Sequence, residues 1–235
     1  APALATLVGE NSLNLTVLGT GTAAVPAITR LHTMKARLDV LVTSASASAI
    51  AGIRPNAANA RPVRIGRDAN APGGFLARFV WGPATGVSNG SHRAFCGLDG
   101  TTNVPTDVNP STIISGIVGM GWDTGDANIQ IIHNSLTAGA TKIDLGSGFP
   151  KPAADRGEVY ELQLYSPNDL TQSVSYRVIR YATTDNTIAA EATGTITANL
   201  PPVGTLLGPH IRMSVGGVSS VVGIACMGIL IGREY

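Results

Sequence analysis

The sequence predicts an all-β fold built from antiparallel sheets, and three observations carry that expectation. Apolar and polar residues alternate with a period of two over most of the chain beyond residue 73, as in strands with one buried face. Turn-forming clusters interrupt these runs at short intervals, the punctuation of a sandwich or a barrel. Internal repeats, heptads and charge blocks are missing from the sequence, which argues against solenoids, coiled coils and disordered tails.

In chain order, residues 1–60 are rich in Ala, Ser, Thr and Val and alternate only in stretches such as 13–17 and 38–42. They predict short strands and an arm that serves attachment or packs on neighbouring subunits, set apart from a sandwich domain over 61–235. Phe75, Phe79 and Trp81 fall on one face of the next strand, with Leu76, Arg78 and Val80 on the other. Ile129 and Ile131 alternate with Asn128 and Gln130, Tyr160, Leu162 and Leu164 with Glu161 and Gln163, and Val174, Tyr176 and Val178 with Ser173, Ser175 and Arg177. Half-buried antiparallel strands follow from each. Between them lie Pro72-Gly73-Gly74, Asp99-Gly100, Thr124-Gly125-Asp126, Gly146-Ser147-Gly148 and Pro201-Pro202, all turn signals. The one helical turn expected follows Asn109-Pro110, with Asn109 as cap and Pro110 in the first helical position.

At 235 residues the chain is long enough for one large β-domain. Its 16 basic and 15 acidic residues give a net charge of +1, without the excess that draws a protein to nucleic acid or an anionic membrane. Charged residues make up 13% of the chain, against about 25% in an ordinary soluble domain. Either the surface is an uncharged polar one or, as the favoured reading because interface cores are depleted in charge, much of it is covered by further copies of the chain. The run 221–231 is too short for a membrane helix of about 20 residues and predicts a strand buried on both faces. Residues 1–20 lack the basic segment of a signal peptide, so synthesis in a cytoplasm is expected.

Several motifs touch on chemistry. Asp123-Thr124-Gly125 matches the aspartic-protease tripeptide but occurs once, where that chemistry needs two carboxylates sharing a proton. Its residues read as a hairpin turn. Gly86-Val87-Ser88-Asn89-Gly90 matches a nucleophile elbow, yet a strand follows it and not a helix. Gly19-Thr20-Gly21 echoes a dinucleotide loop, with Pro26 interrupting the helix that should follow. Asp123, Asp126 and Asn128 offer three oxygens that could meet Ca²⁺, but Asx residues in turns ordinarily bond their own backbone. His32, His92, His133 and His210 form no ligand-spaced pair. Cys96 and Cys226 are expected as buried free thiols, with a disulfide open only if their strands are neighbours. Neither a catalytic set, a cofactor nor a metal is therefore expected. For sugar binding, where a ring stacks beside polar groups, the best candidates are Trp122, Asp123 and Asn128, against a Trp122 held in the core.

From about residue 73 onward a series of short phrases follows in a particular order: Arg78-Phe79-Val80-Trp81-Gly82, Arg93-Ala94-Phe95-Cys96-Gly97-Leu98, Pro105-Thr106-Asp107-Val108-Asn109-Pro110-Ser111 and Gly119-Met120-Gly121-Trp122-Asp123. Further along come Asn128-Ile129-Gln130-Ile131-Ile132-His133-Asn134, Lys142-Ile143-Asp144-Leu145-Gly146, Val159-Tyr160-Glu161-Leu162 and Leu206-Leu207-Gly208-Pro209. In that order they resemble structural proteins of tailed bacteriophages, of the tail-fibre, head-fibre or capsid-decoration type. The resemblance implies a jelly-roll or lectin-like sandwich, a homo-oligomer (commonly a trimer) and a place on the outside of the virion among other virion proteins. The function expected is structural assembly, not enzymatic, with recognition of a host-surface glycan on the same fold as the alternative.

Overall fold

The computed structural model describes residues 15–19, 21–24, 38–56, 61–69, 71–85, 90–103, 105–137, 139–153, 157–185 and 187–233. In these residues the chain forms β1 (Leu15–Gly19), β2 (Thr22–Ala24), β3 (Leu38–Ser46), β4 (Ile50–Pro55), β5 (Phe75–Thr85), β6 (Arg93–Asp99) and β7 (Ile117–Trp122). It continues with β8 (Gln130–His133), β9 (Thr141–Asp144), β10 (Val159–Ser166), β11 (Val174–Tyr181), β12 (Ile188–Ile196), β13 (Gly208–Ser214) and β14 (Ser220–Arg233). Two seven-stranded antiparallel sheets result: the first ordered β1-β4-β13-β6-β7-β8-β9, the second β12-β11-β10-β5-β14-β3-β2.

Alternation decides which side chains meet between the sheets. Phe75, Ala77, Phe79 and Trp81 of β5 and Tyr160, Leu162 and Leu164 of β10 point inward from the second sheet. Ala94, Cys96 and Leu98 of β6 and Val118, Met120 and Trp122 of β7 answer from the first. Trp81 stacks on Trp122 across the gap, with ring centroids 5.9 Å apart. A stacked aromatic pair of this kind contributes about 1 kcal/mol beyond the apolar area it buries.

The outer face of the first sheet is covered as well. Phe95, Ile117 and Ile132 form a second, smaller core there, joined by Ile113 and Ala140. The Phe95 ring lies over Gly119, where an added Cβ would sit 2.9 Å from Phe95 Cζ and 2.3 Å from the Cys96 carbonyl oxygen. Only glycine allows that approach. The connection from β6 to β7 is drawn over this face and tied at its start by Asp99, which accepts hydrogen bonds from Ser115 Oγ (2.6 Å), Thr101 N (3.1 Å) and Arg212 Nη1 (3.2 Å). His210, fully buried beside them, contacts the Thr101 carbonyl through Nε2 at 3.0 Å.

Three expectations are corrected. Residues 1–60 are not a separate arm over their described part, because β4 lies between β1 and β13 in the first sheet and β3 pairs with β14 in the second. Asn109 does not cap the short 3-10 turn Pro110–Thr112, since its side-chain oxygen accepts the Thr124 amide instead. The 221–231 run is buried on both faces only over Val222–Ala225, and Leu230 is 58% exposed. The pairing of β3 with β14 stops at Cys226, so the rest of β14 lacks that neighbour. Cys96 and Cys226 are both free thiols; burial pushes the Cys226 thiol up to about 12. No helix among the described residues is long and apolar enough to cross a membrane.

Candidate functional site

At one end of the sandwich the loops β3–β4, β5–β6, β7–β8, β9–β10 and β13–β14 come together, because antiparallel pairing returns each strand pair to the same side. The β6–β7 connection, led over the outer face, brings Asp107, Asn109 and Ser111 to the same end.

Asp123 closes β7 and faces that connection. Its carboxylate accepts Ser111 Oγ at 2.6 Å, the Ser111 amide at 3.2 Å and Lys142 Nζ at 3.0 Å. Asp126 accepts the Asp123 amide at 2.8 Å and also the Lys142 ammonium. Lys142 therefore stands where a cation shared by the two carboxylates would stand, and the oxygen set considered for Ca²⁺ already has its counter-charge. Burial works to lower the Lys142 pKa, but the hydrogen bonds it donates to Asp126 and Asp123 outweigh this and hold the ammonium above its ordinary range. Among the described residues no group of three or more His, Cys, Asp or Glu could hold a metal ion.

Around this pair the other loops are tied by charge-assisted bonds, the stronger class of hydrogen bond. Asp107 accepts the amides of Gly216 (3.0 Å) and Gly217 (2.7 Å) and ion-pairs with Arg93. Arg93 Nε donates to Thr124 Oγ1 at 2.7 Å, and Thr124 Oγ1 donates to the Ser91 carbonyl at 3.0 Å. Lys151 Nζ donates to the carbonyls of Gly90 (2.7 Å) and Thr124 (2.9 Å); burial lowers its pKa, opposed by Asp126 and Asp123. Asn128 donates to Asp144 at 3.0 Å, and Asp144 caps the Gly146 amide at 2.7 Å, which with its neighbours draws its pKa down.

The product is a rigid floor with open tips. Gly90, Gly125, Gly146 and Gly217 stand at four of the loop tips, and a Cβ placed on any of them would meet no heavy atom within 4 Å. Around them stand the polar side chains of Thr124, Asn128, Lys142 and Asp144. Such an array suits a ligand rich in hydroxyls that both donate and accept. The aliphatic contribution comes from Val108 and Val218, 39% and 45% exposed.

Of the residues singled out from sequence, Asp123 and Asn128 belong to this end. Trp122 does not face it: the side chain is fully buried, stacked on Trp81, with Nε1 donating to the His92 carbonyl at 2.9 Å. Ring stacking on a sugar by Trp122 is thereby corrected to a core role. Trp122 shares its parity with Val118 and Met120 on β7, a signal already present in the sequence. Ser88 lies outside the described residues, as do Thr20, Pro26 and His32. Asp107, Ser111, Lys142 and Lys151 escaped sequence reasoning, since only tertiary folding sets them around the Asp123 turn.

No protein-family model matches the sequence, and no curated protein matches it either. Solved structures do resemble it. The lectin UEA-II complexed with galactose superposes with a TM-score of 0.56 at 13% identity, over 96% of this chain and 94% of that one. Basic winged bean lectin with Tn-antigen gives 0.55 at 10% identity, over 97% and 96%. A seed lectin of Lotus tetragonolobus gives 0.55 at 10% identity, over 94% of each chain. At these identities the likeness establishes the fold: a jelly-roll β-sandwich of the legume-lectin kind.

Proposed function

We propose that the chain is a carbohydrate-binding module, acting by recognition and not by catalysis, with its site at the loop end of the sandwich. The observation that carries this is the set of open glycine tips on a floor cross-tied by Asp123, Asp126, Lys142 and Lys151. Such a floor is pre-organised, which lowers the cost of ordering on binding. The galactose and Tn-antigen complexes of similar folds support the ligand class, although fold alone does not assign function. The test is a glycan array probed with the whole chain, followed by Gly125→Arg. Gly125 has ordinary backbone angles and open space around it, so the variant is expected to keep its Tm and lose glycan signal. An array without signal, or an unaffected variant, removes the proposal.

A second reading is self-assembly as a structural component on the outside of a bacteriophage particle, a homo-oligomer presenting the loop end to host-surface glycans. The favouring observation is an apolar row on the outer face of the second sheet: Leu76, Tyr165 and Leu230, 48%, 40% and 58% exposed, on adjacent strands. Light scattering across a concentration series tests it, and a chain monomeric throughout overturns it.

A further inference from the structure

Two carboxylates brought to one point repel unless they share a cation, and the repulsion grows as water is excluded. At the β7–β8 turn Asp123 and Asp126 converge in this way, their side chains only 10% and 13% exposed. In an Asp-rich turn the usual answer is Ca²⁺, which gathers oxygens at about 2.3–2.6 Å. Here the cation belongs to the chain. Lys142 reaches over from β9, two strands away from β7, and its Nζ donates to Asp123 Oδ2 at 3.0 Å and to Asp126 Oδ1. The other oxygens are engaged too: Ser111 donates its amide to Asp123 Oδ1 (3.2 Å) and its hydroxyl to Oδ2 (2.6 Å), and Asp126 Oδ2 accepts the Asp123 amide (2.8 Å).

We infer that Lys142 is a built-in substitute for a divalent cation: it positions the Asp123–Asp126 turn, and the Gly125 tip within it, so that the loop end takes its saccharide without Ca²⁺. The inference rests on the carbohydrate reading of the loop end and states how that site is held in shape.

Three features set this contact apart from an ordinary surface ion pair, which contributes little. One ammonium serves two carboxylates that are both largely removed from water, and taking it away leaves like charges facing each other without a counter-ion. The pair brackets Gly125, where a Cβ would meet no heavy atom within 4 Å, so the tip takes its position from the turn and not from packing. Ser111 ties the same carboxylate to the β6–β7 connection, so a single ammonium holds β7, β9 and that connection together. The neighbouring ammonium does not duplicate the role. Lys151 donates to the carbonyls of Gly90, Thr124 and Asp123, and among the described residues only Lys142 is ion-paired with Asp123 or Asp126.

The experiment uses the whole chain, its Lys142→Met variant, which keeps the aliphatic stem and loses the charge, and the double variant Lys142→Met with Asp126→Asn. Ca²⁺ alone is first titrated in by calorimetry, and Tm is read in EDTA and in millimolar Ca²⁺, the range of weak loop sites. Affinity for a saccharide selected on the array is then measured in both media. For the parent chain no Ca²⁺ binding is expected, with the same Tm and the same saccharide affinity in either medium. Lys142→Met is expected to bind Ca²⁺, to gain Tm from it, and to bind saccharide roughly tenfold more weakly in EDTA, a loss that Ca²⁺ reverses. The double variant, relieved of one carboxylate, is expected to recover Tm in EDTA and to ignore Ca²⁺. Should Lys142→Met fail to fold in EDTA, recovery of the fold by Ca²⁺ or by the added Asp126→Asn is the same result. A parent chain that needs Ca²⁺ for its Tm or its saccharide overturns the inference. So does a Lys142→Met variant that Ca²⁺ leaves unchanged, or one that matches the parent's saccharide affinity in EDTA. A parent chain that binds no saccharide overturns the carbohydrate reading, whereas the Ca²⁺ and Tm readouts decide the substitution by Lys142 independently of it.

Discussion

Acidification should destabilise the protein through His210. The imidazole lies fully buried beneath the β6–β7 connection, between Asp99 and Arg212, with Arg54 nearby and the Thr101 carbonyl at 3.0 Å. Burial pushes its pKa down to about 4; Arg212 and Arg54 add to the effect, while Asp99 and the Thr101 carbonyl oppose it. In the unfolded chain the group returns to about 6.5. The unfolded state thus takes up the proton first as pH falls, and linkage makes folding stability decline wherever the unfolded state binds more protons. The His210 contribution is complete above pH ~6.5, falls between ~6.5 and ~4, and is lost below that. At about 1.4 kcal/mol per pH unit, the whole loss is roughly 3 kcal/mol, a large share of the 5–15 kcal/mol by which domains are ordinarily stable. Urea unfolding at a series of pH values measures it, with His210→Gln as comparator: the amide can still donate to the Thr101 carbonyl but does not titrate. The variant is expected to start less stable and to show the shallower acid slope. Parallel slopes in the two proteins over this window would refute the reasoning.

Further expectations follow from packing and from the loop end. Trp122→Ala removes a buried ring stacked on Trp81 and should cost about 3–5 kcal/mol, lowering Tm sharply in thermal unfolding. Gly119→Ala forces a Cβ to within 2.3 Å of the Cys96 carbonyl oxygen; a loss of roughly 1–3 kcal/mol in urea unfolding is expected. Asp107→Ala strips the amides of Gly216 and Gly217 of their acceptor and should cost about 1–3 kcal/mol, with faster amide hydrogen exchange confined to the β13–β14 loop.

The inner faces of β5, β10 and β11 were legible because each presents large apolar residues at every second position, with turn residues marking both ends. β3 and β4 were harder. Their buried positions include Ala51 and Gly52, and their partners are distant in sequence, Ile53 opposite Ile211 and Val40 opposite Ile224. Weak alternation and non-local pairing together made part of a sheet look like an arm. Asn109-Pro110 carried a valid capping signal, but a tertiary partner, the Thr124 amide, took the Asn109 oxygen. At the loop end the Asp123 turn could be found from its own residues. Lys142 lies on β9 and Lys151 in the loop that follows it, and nothing local in either position announces a bond to Asp123, Asp126 or Thr124.

The central claim is that the open loop tips are a glycan site. Its most direct measurement follows backbone amide chemical shifts of the isotope-labelled chain while a saccharide selected on the array is titrated in. Saturable shifts concentrated at Gly90, Gly125, Gly146, Gly217 and their neighbours are the result this account predicts. Shifts confined to the outer face of the second sheet, or none at saturating saccharide, would contradict it.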